Sequence, residues 1–194
     1  MKKRLHIIII CLLLGTTSAF AQKASVKTNL IWDGLATINL GTEIGIAPRW
    51  TIDISGNYNG WIIPEGKRWK HWLVQPEFRY WLCERFQGHF FGLHLHGGQF
   101  NLSNLKNNIS FLGTDFSKLS DTRYQGWFIG VGIGYGYAFI LSKHWNLELE
   151  AGFGYSYSRH DRYPCAWCGN KIEENIPHHY VGPTKLAINL AYLF

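Results

Sequence analysis

Large apolar side chains recur at every second position through most of this chain, a spacing that suits β-strands and excludes amphipathic helices. The clearest example is the final segment, where the positions from Leu186 to Phe194 alternate between bulky apolar and small or polar residues. Residues 123–141 show the same alternation, with glycine or alanine between the large side chains. The pattern predicts eight strands, near residues 24–32, 38–47, 51–61, 71–82, 89–101, 123–141, 147–158 and 186–194.

The connections between these strands alternate in length. Short connections are expected at 48–50, 83–88 and 142–145, and long ones at about 62–70, 102–122 and 161–181. The first connection, at 33–37, is the exception, because it is short although the alternation calls for a long one. Outer-membrane barrels have short periplasmic turns and longer outer loops. Eight strands would therefore place both termini on the periplasmic side.

The first 21 residues have the organisation of a signal peptide. A basic start at Lys2, Lys3 and Arg4 precedes an apolar run over residues 5–14, and Ala19-Phe20-Ala21 supplies the small residues of a cleavage site. The apolar run is shorter than the roughly 20 residues of a membrane-spanning helix. We expect a signal peptide at 1–21 and a barrel domain at 22–194, with an uncleaved anchor as the alternative.

The two faces of the predicted strands differ in chemistry: one is apolar, the other polar or glycine-rich. An eight-stranded barrel barely holds its own inward side chains, so the bulky apolar face cannot point inward. The sequence therefore predicts an all-β, eight-stranded antiparallel transmembrane β-barrel of the outer-membrane type, with a narrow filled lumen. Its location would be the outer membrane of a Gram-negative cell, a setting that fits 16% aromatic residues and a mean hydropathy of −0.11.

The polar face predicts a network of paired charges inside the lumen, because buried charges are tolerated only when they are paired. An ion path, that is a narrow pore, is the alternative. The domain 22–194 has 16 Lys and Arg against 13 acidic residues and no basic helix, which does not favour nucleic acid as a partner. The predicted network comprises Lys27, Glu43, Asp53, Glu77, Arg79, His94, His96, Glu148 and Glu150.

Three segments carry a resemblance to a known family: Lys27-Thr28-Asn29-Leu30, the run WKHWLVQPEFRYW over residues 69–81, and GHFFGLH over residues 88–94. They resemble an uncharacterised family of Bacteroidetes outer-membrane barrels, catalogued as a domain of unknown function. The resemblance implies a small barrel whose relatives often accompany fimbrial or surface-adhesin systems. It supplies no catalytic residue and no cofactor, so we expect a non-enzymatic surface role in anchoring, adhesion or support of fimbria-like structures.

Cys165 and Cys168 form a Cys-x-x-Cys motif in the last long loop. They would make a local disulfide, or else half of a zinc site completed by imidazoles such as His178 and His179. Cys83 lies in a short turn at the opposite end of the predicted barrel and cannot pair with them.

An enzyme at the outer rim that acts on lipid or peptide is the competing function, since His160-Asp161 and His178-His179 could supply a general base. No nucleophile motif accompanies them. The tryptophans near predicted strand ends are interpreted as interfacial anchors, with carbohydrate stacking as the alternative; they are Trp32, Trp61, Trp69, Trp72, Trp81 and Trp127. Expected partners of this monomer are membrane lipid, the barrel-assembly machinery through the strand ending at Phe194, and a surface appendage or host molecule at loops 102–122 and 161–181.

Overall fold

Eight long strands, each antiparallel to the strands before and after it, form a closed ring. The structure is a computed structural model that describes residues 24–63, 67–103, 110–111, 114–115, 122–164 and 170–194. The strands are β1 (Ala24–Asn29), β2 (Ile38–Ala47), β3 (Trp50–Asn59), β4 (Lys67–Trp81), β5 (Gly88–Ser103), β6 (Arg123–Ile140), β7 (Trp145–Tyr163) and β8 (Glu173–Leu193).

Pairing between the first and last strands closes the ring, with Ser25 opposite Leu193 and Asn29 opposite Asn189. Every other contact joins strands that are consecutive in sequence. The prediction of an all-β, eight-stranded antiparallel barrel is confirmed. Both termini lie at one end, which we call the base, and the opposite end is the mouth. Two-residue strands add to the mouth at Ile62–Ile63, Ser110–Phe111 and Thr114–Asp115.

A short helix, α1 (Leu30–Gly34), follows β1 at the mouth. The predicted strand 24–32 therefore extends too far, since β1 ends at Asn29. The Asn29 side chain accepts a hydrogen bond from the Ile31 amide at 3.1 Å and so caps the helix at the point where the strand stops. Within the ranges described, no helix has the length and apolar character needed to cross a membrane.

The wall of the ring is uneven, because β1 has 6 residues and β8 has 21. β7 and β8 stay paired as far as Arg162 opposite Glu173. Most of the predicted loop 161–181 is thus strand, and β4 likewise starts at Lys67, inside the predicted loop 62–70. Both loops were predicted too long because strand ends were placed where the apolar alternation stops. The strands themselves continue beyond that point toward the mouth.

Burial along the strands is the reverse of that in a water-soluble protein. Arg79 and Glu43 are fully buried, whereas Ile133 is 68% exposed and Leu186 is 62% exposed. On β7, Glu148 and its inward neighbours alternate with outward apolar residues. The polar face fills the lumen and the apolar face forms the outer surface.

Outward aromatic rings gather in two bands. The band near the base comprises Trp50, Tyr80, Tyr137, Phe139, Trp145, Tyr192 and Phe194, and the band nearer the mouth comprises Tyr58, Trp61, Trp72, Trp127, Tyr155 and Tyr157. Mainly aliphatic side chains lie between them. Along β7, the eleven residues from Trp145 to Tyr155 span about 25 Å once strand tilt is included. We refer to this apolar zone and its two aromatic borders as the belt.

Candidate functional site

The lumen holds a cluster of acidic and basic side chains from six of the eight strands. All are buried, and each contacts at least one group of opposite charge. We call this set the lumen cluster; its members are Lys27 on β1, Glu43 on β2, Asp53 on β3, Glu77 and Arg79 on β4, Glu148 and Glu150 on β7, and Lys185 on β8.

Arg79 lies at the centre of the lumen cluster. One terminal nitrogen of its guanidinium donates to Glu43 at 2.8 Å and to Glu148 at 3.1 Å, and the other donates to Glu150 at 2.7 Å. Asp53 and Glu77 lie within 3.5 Å of the same guanidinium. A planar group with five donors is suited to joining several carboxylates at once. Arg79 therefore ties β4 to strands on both sides of the ring.

Lys27 and Lys185 neutralise the two flanks of the cluster. Lys27 pairs with Glu43, with Glu148 at 3.0 Å and with Asp53 at 3.3 Å. Lys185 pairs with Glu77 and, at 3.1 Å, with Glu150. Lys185 is not among the predicted lumen residues, because it precedes the predicted last strand, 186–194.

A β-bulge places an extra residue next to Lys185. Gly152 is opposite Lys185 and Phe153 is opposite Pro183, which leaves Thr184 as an extra residue on β8. The Thr184 hydroxyl lies 2.8 Å from Nε2 of His94, inside the lumen. His96 follows on the same face of β5, with its ring 5.8 Å from that of His94. The two predicted histidines thus lie beside the cluster on its mouth side.

Glycines on β5 and β6 provide room for these side chains. A Cβ atom at Gly92 would overlap the Glu77 carboxylate, and one at Gly134 would lie 2.9 Å from a Glu150 oxygen. The two strands that add no charge to the cluster therefore contribute space.

An aromatic floor closes the base beneath the cluster. Trp81, Phe86 and Phe90 are buried together, and the Arg79 guanidinium lies 4.5 Å from the centre of the Phe90 ring. The Trp81 indole donates to the Thr51 hydroxyl at 2.9 Å. The interpretation of Trp81 as an interfacial anchor is wrong, because it has the same inward parity on β4 as Glu77 and Arg79. Trp32 also departs from that interpretation, since its ring lies 5.2 Å from His71 at the mouth.

A concave space of about 770 Å³ opens at the mouth, and we call it the cup. Among the residues that border it, Asn59, His71 and His160 face inward, whereas Gln99, Asn101 and Gln125 are on the outward face of their strands beside Trp72 and Trp127. Aromatic groups, including Phe100, complete much of the wall. A smaller cavity of about 60 Å³ lies deeper, lined by Lys27, Asp53, Gln75, Lys185 and others, with Trp32 among its boundary residues.

Residues 7–194 match the family described as Protein of unknown function (DUF3575). The chain belongs to this family. No curated protein and no solved structure gives a significant match. The resemblance noted in the sequence is confirmed at the level of an uncharacterised family.

In this DUF3575 chain the histidines proposed as metal ligands are held apart. His178 and His179 point to opposite faces of β8: the His178 ring lies 6.4 Å from that of His160, and Nδ1 of His179 lies 2.6 Å from the Tyr155 hydroxyl. In the described part of the chain, no three or more His, Cys, Asp or Glu side chains are arranged so that they could hold a metal ion. Cys165 and Cys168 lie outside the described residues. Cys83 is exposed and free, in the turn after β4.

The β7–β8 hairpin rises above the cup as a charged ledge. Arg162 pairs with Glu173 at 3.0 Å, and Lys171 pairs with Asp161 at 2.9 Å. Hydrogen bonds to Glu174 and Asp161 raise the pKa of Lys171 above its ordinary value, so this exposed ammonium stays charged at neutral pH. The ledge comprises residues 158–163 and 170–176.

Proposed function

We propose that this DUF3575 chain is an outer-membrane β-barrel with a sealed lumen and a non-enzymatic surface role. The barrel would anchor the cup and the ledge at the cell surface, for adhesion or for support of a fimbria-like appendage. The observation that carries the proposal is the inversion of burial, with an apolar belt surrounding a buried lumen cluster.

Water is a poor solvent for such an outer surface. Monomeric soluble proteins rarely expose a contiguous apolar patch larger than a few hundred Å², whereas here apolar side chains such as Leu95, Val131 and Ile188 continue around the ring. Closed strand pairing satisfies the backbone without water, as a lipid setting requires. The height of the belt, about 25 Å, equals that of the apolar band of outer-membrane barrels.

The membrane assignment is tested with residues 22–194 refolded into detergent micelles and lipid vesicles. We expect the protein to need detergent or lipid for solubility and to float with the vesicles. We also expect unboiled and boiled samples to migrate differently on gels, because a closed barrel resists the detergent until it is heated. A monodisperse, detergent-free solution with heat-independent migration would refute the assignment.

The sealed lumen disfavours the pore alternative. The lumen cluster and the aromatic floor of Trp81, Phe86 and Phe90 occupy successive layers across the ring. Opening a path would leave buried charges without partners, which is costly. In planar bilayers we expect no steady unitary conductance from the wild-type protein, and regular channel steps would contradict the sealed barrel.

The ledge is the best candidate for the surface contact, because it projects beyond the belt on paired strands. Replacing residues 161–175 with Asn-Gly would join the opposed pair His160 and Ile176 by a two-residue turn. We expect the barrel to stay folded, as judged by heat-dependent migration, while cells expressing it lose adhesion or appendage assembly. Unchanged surface behaviour with a folded barrel would exclude the ledge as the contact.

A further inference from the structure

The cup has unpartnered hydrogen-bonding groups directed at a space of ligand size. Its volume of about 770 Å³ falls in the range of small-molecule sites. Two buried polar atoms on its inner wall have no hydrogen-bond partner among the described residues: Oδ1 of Asn59 and Nε2 of His71. Buried polar atoms are normally paired, so an unpaired set around one cavity indicates a ligand.

The Asn59 side chain is held in place by hydrogen bonds from its amide nitrogen. Its amide nitrogen donates to the Thr37 hydroxyl at 3.1 Å and to the Ala36 carbonyl at 3.3 Å. This fixes the orientation of the amide and leaves the oxygen as the free group. The residue is 1% exposed, so the oxygen is an oriented acceptor in a sheltered place.

His71 is oriented in a similar way. Its Nδ1 lies 3.2 Å from the Trp69 carbonyl oxygen, which only accepts hydrogen bonds. The proton must therefore be on Nδ1, and the neutral ring presents Nε2 as an acceptor. The Trp32 and Trp69 rings lie 5.2 and 5.8 Å from the imidazole and hold it in place.

The cup thus offers acceptors to a ligand that donates hydrogen bonds. Its described inward-facing side chains include Asn59, His71, Phe100 and His160, none of which is a carboxylate, a lysine or an arginine, so a strongly charged ligand gains little. The Asn59 amide, the His71 imidazole and the face of the Phe100 ring suit a molecule with many hydroxyl groups on one side and apolar C–H groups on the other. A sugar ring has this chemistry.

We propose that the cup binds a neutral glycan, with Asn59 and His71 accepting hydrogen bonds from its hydroxyl groups. A glycan site would give the proposed surface role a specific ligand. It rests on the proposed function because the mouth must face the cell exterior. A barrel that inserts into vesicles but binds no sugar would refute the glycan site alone. A chain that fails to insert would refute the membrane assignment, whatever its cup binds.

The test uses residues 22–194 in detergent micelles, titrated calorimetrically with neutral trisaccharides: maltotriose, cellotriose, N,N′,N″-triacetylchitotriose and mannotriose. We expect at least one to bind and His71→Phe to weaken that binding about tenfold or more. His144→Phe is the matched control, because His144 at the base has Nδ1 3.0 Å from a backbone carbonyl oxygen and stacks on Tyr192. That control should bind as tightly as wild type.

A second pair of variants separates binding from folding. Asn59→Asp keeps an acceptor at the cup and should retain more affinity than Asn59→Leu, with heat-dependent migration confirming that both fold. Absence of binding to every trisaccharide, equal affinities for wild type and His71→Phe, or selective binding of sialyllactose over all neutral sugars would each overturn the proposal.

Discussion

Arg79 is the residue on which the lumen cluster most depends, because five carboxylates from four strands lie around its guanidinium. Removing it would leave those acids buried without their central partner. We expect Arg79→Met to lower the free energy of unfolding by about 3–5 kcal/mol, measured by urea titration in micelles. Arg49→Met, in an exposed turn, is the control and should change stability by less than about 0.5 kcal/mol. Equal effects would show that the cluster contributes little.

Lys185 and Glu77 allow the same idea to be tested as a pair. Lys185→Met leaves the Glu77 carboxylate without its close lysine partner, whereas the double variant with Glu77→Gln removes the stranded charge as well. We expect the double variant to be more stable than Lys185→Met alone, with a coupling energy of about 0.5–3 kcal/mol. Additive losses in urea unfolding would mean that the two side chains do not interact.

The alternation of residue types was sufficient to place many inward side chains, because parity along a strand fixes the face. It failed where a further fact was needed. Lys185 has the same inward parity as Ala187 and Asn189, but the apolar alternation of that strand is clear only from Leu186 onward, and the bulge at Thr184 interrupts it just before Lys185. Trp81 shares parity with Arg79, yet its position at a strand end favoured a membrane interface. The orientation of the Asn59 amide, and so its unpaired oxygen, depends on the hydrogen bond that its nitrogen donates to Thr37. Thr37 lies in the connection before β2, and no sequence pattern reveals this contact.

Among the elements, α1 depends on one side chain that also belongs to the wall. The Asn29 oxygen accepts from the amides of Ile31 and Ile188, and its nitrogen donates to the Leu186 carbonyl. It therefore joins the helix to the seam between β1 and β8. We expect Asn29→Ala to reduce stability by about 1–2 kcal/mol in urea unfolding, the usual cost of a lost cap.

Asn29→Asp is the informative comparison for that prediction. Aspartate keeps the capping acceptor but cannot donate to Leu186, so its loss of stability should be smaller than that of Asn29→Ala. If both variants lose equally, the donated hydrogen bond rather than the cap stabilises this corner.

The strand extensions show why element ends were harder to predict than element centres. Within the belt, the alternation of outward apolar and inward polar or small side chains marks each strand clearly. Above it, both faces of β7 and β8 carry polar residues such as Arg159 and His178, so period-2 contrast disappears although pairing continues. The hydrogen-bonded ladder, not hydropathy, maintains these extensions, and the cup and the ledge are built from them.

For the whole molecule, closure of the ring and the inverted burial, with polar side chains inside and apolar ones outside, support each other. An open sheet with this belt would expose both apolar side chains and an unpaired edge, and such edges promote aggregation. Closure between β1 and β8 removes the edge and encloses the lumen cluster in the same step. The apolar surface that remains is uniform around the ring, which suits a lipid environment on all sides.

A single charge at the middle of the belt tests that environment directly. Ile133 is 68% exposed on β6, level with Leu93 and Phe153 on the neighbouring strands. If lipid surrounds it, Ile133→Arg should lower stability in vesicles by about 2–4 kcal/mol, the cost of an arginine near the bilayer midplane. Ile172→Arg, also exposed but beyond the belt, should change stability little. In water the same arginine at position 133 would be harmless or would improve solubility. Equal stabilities of the two variants in vesicles would therefore contradict a membrane-embedded belt.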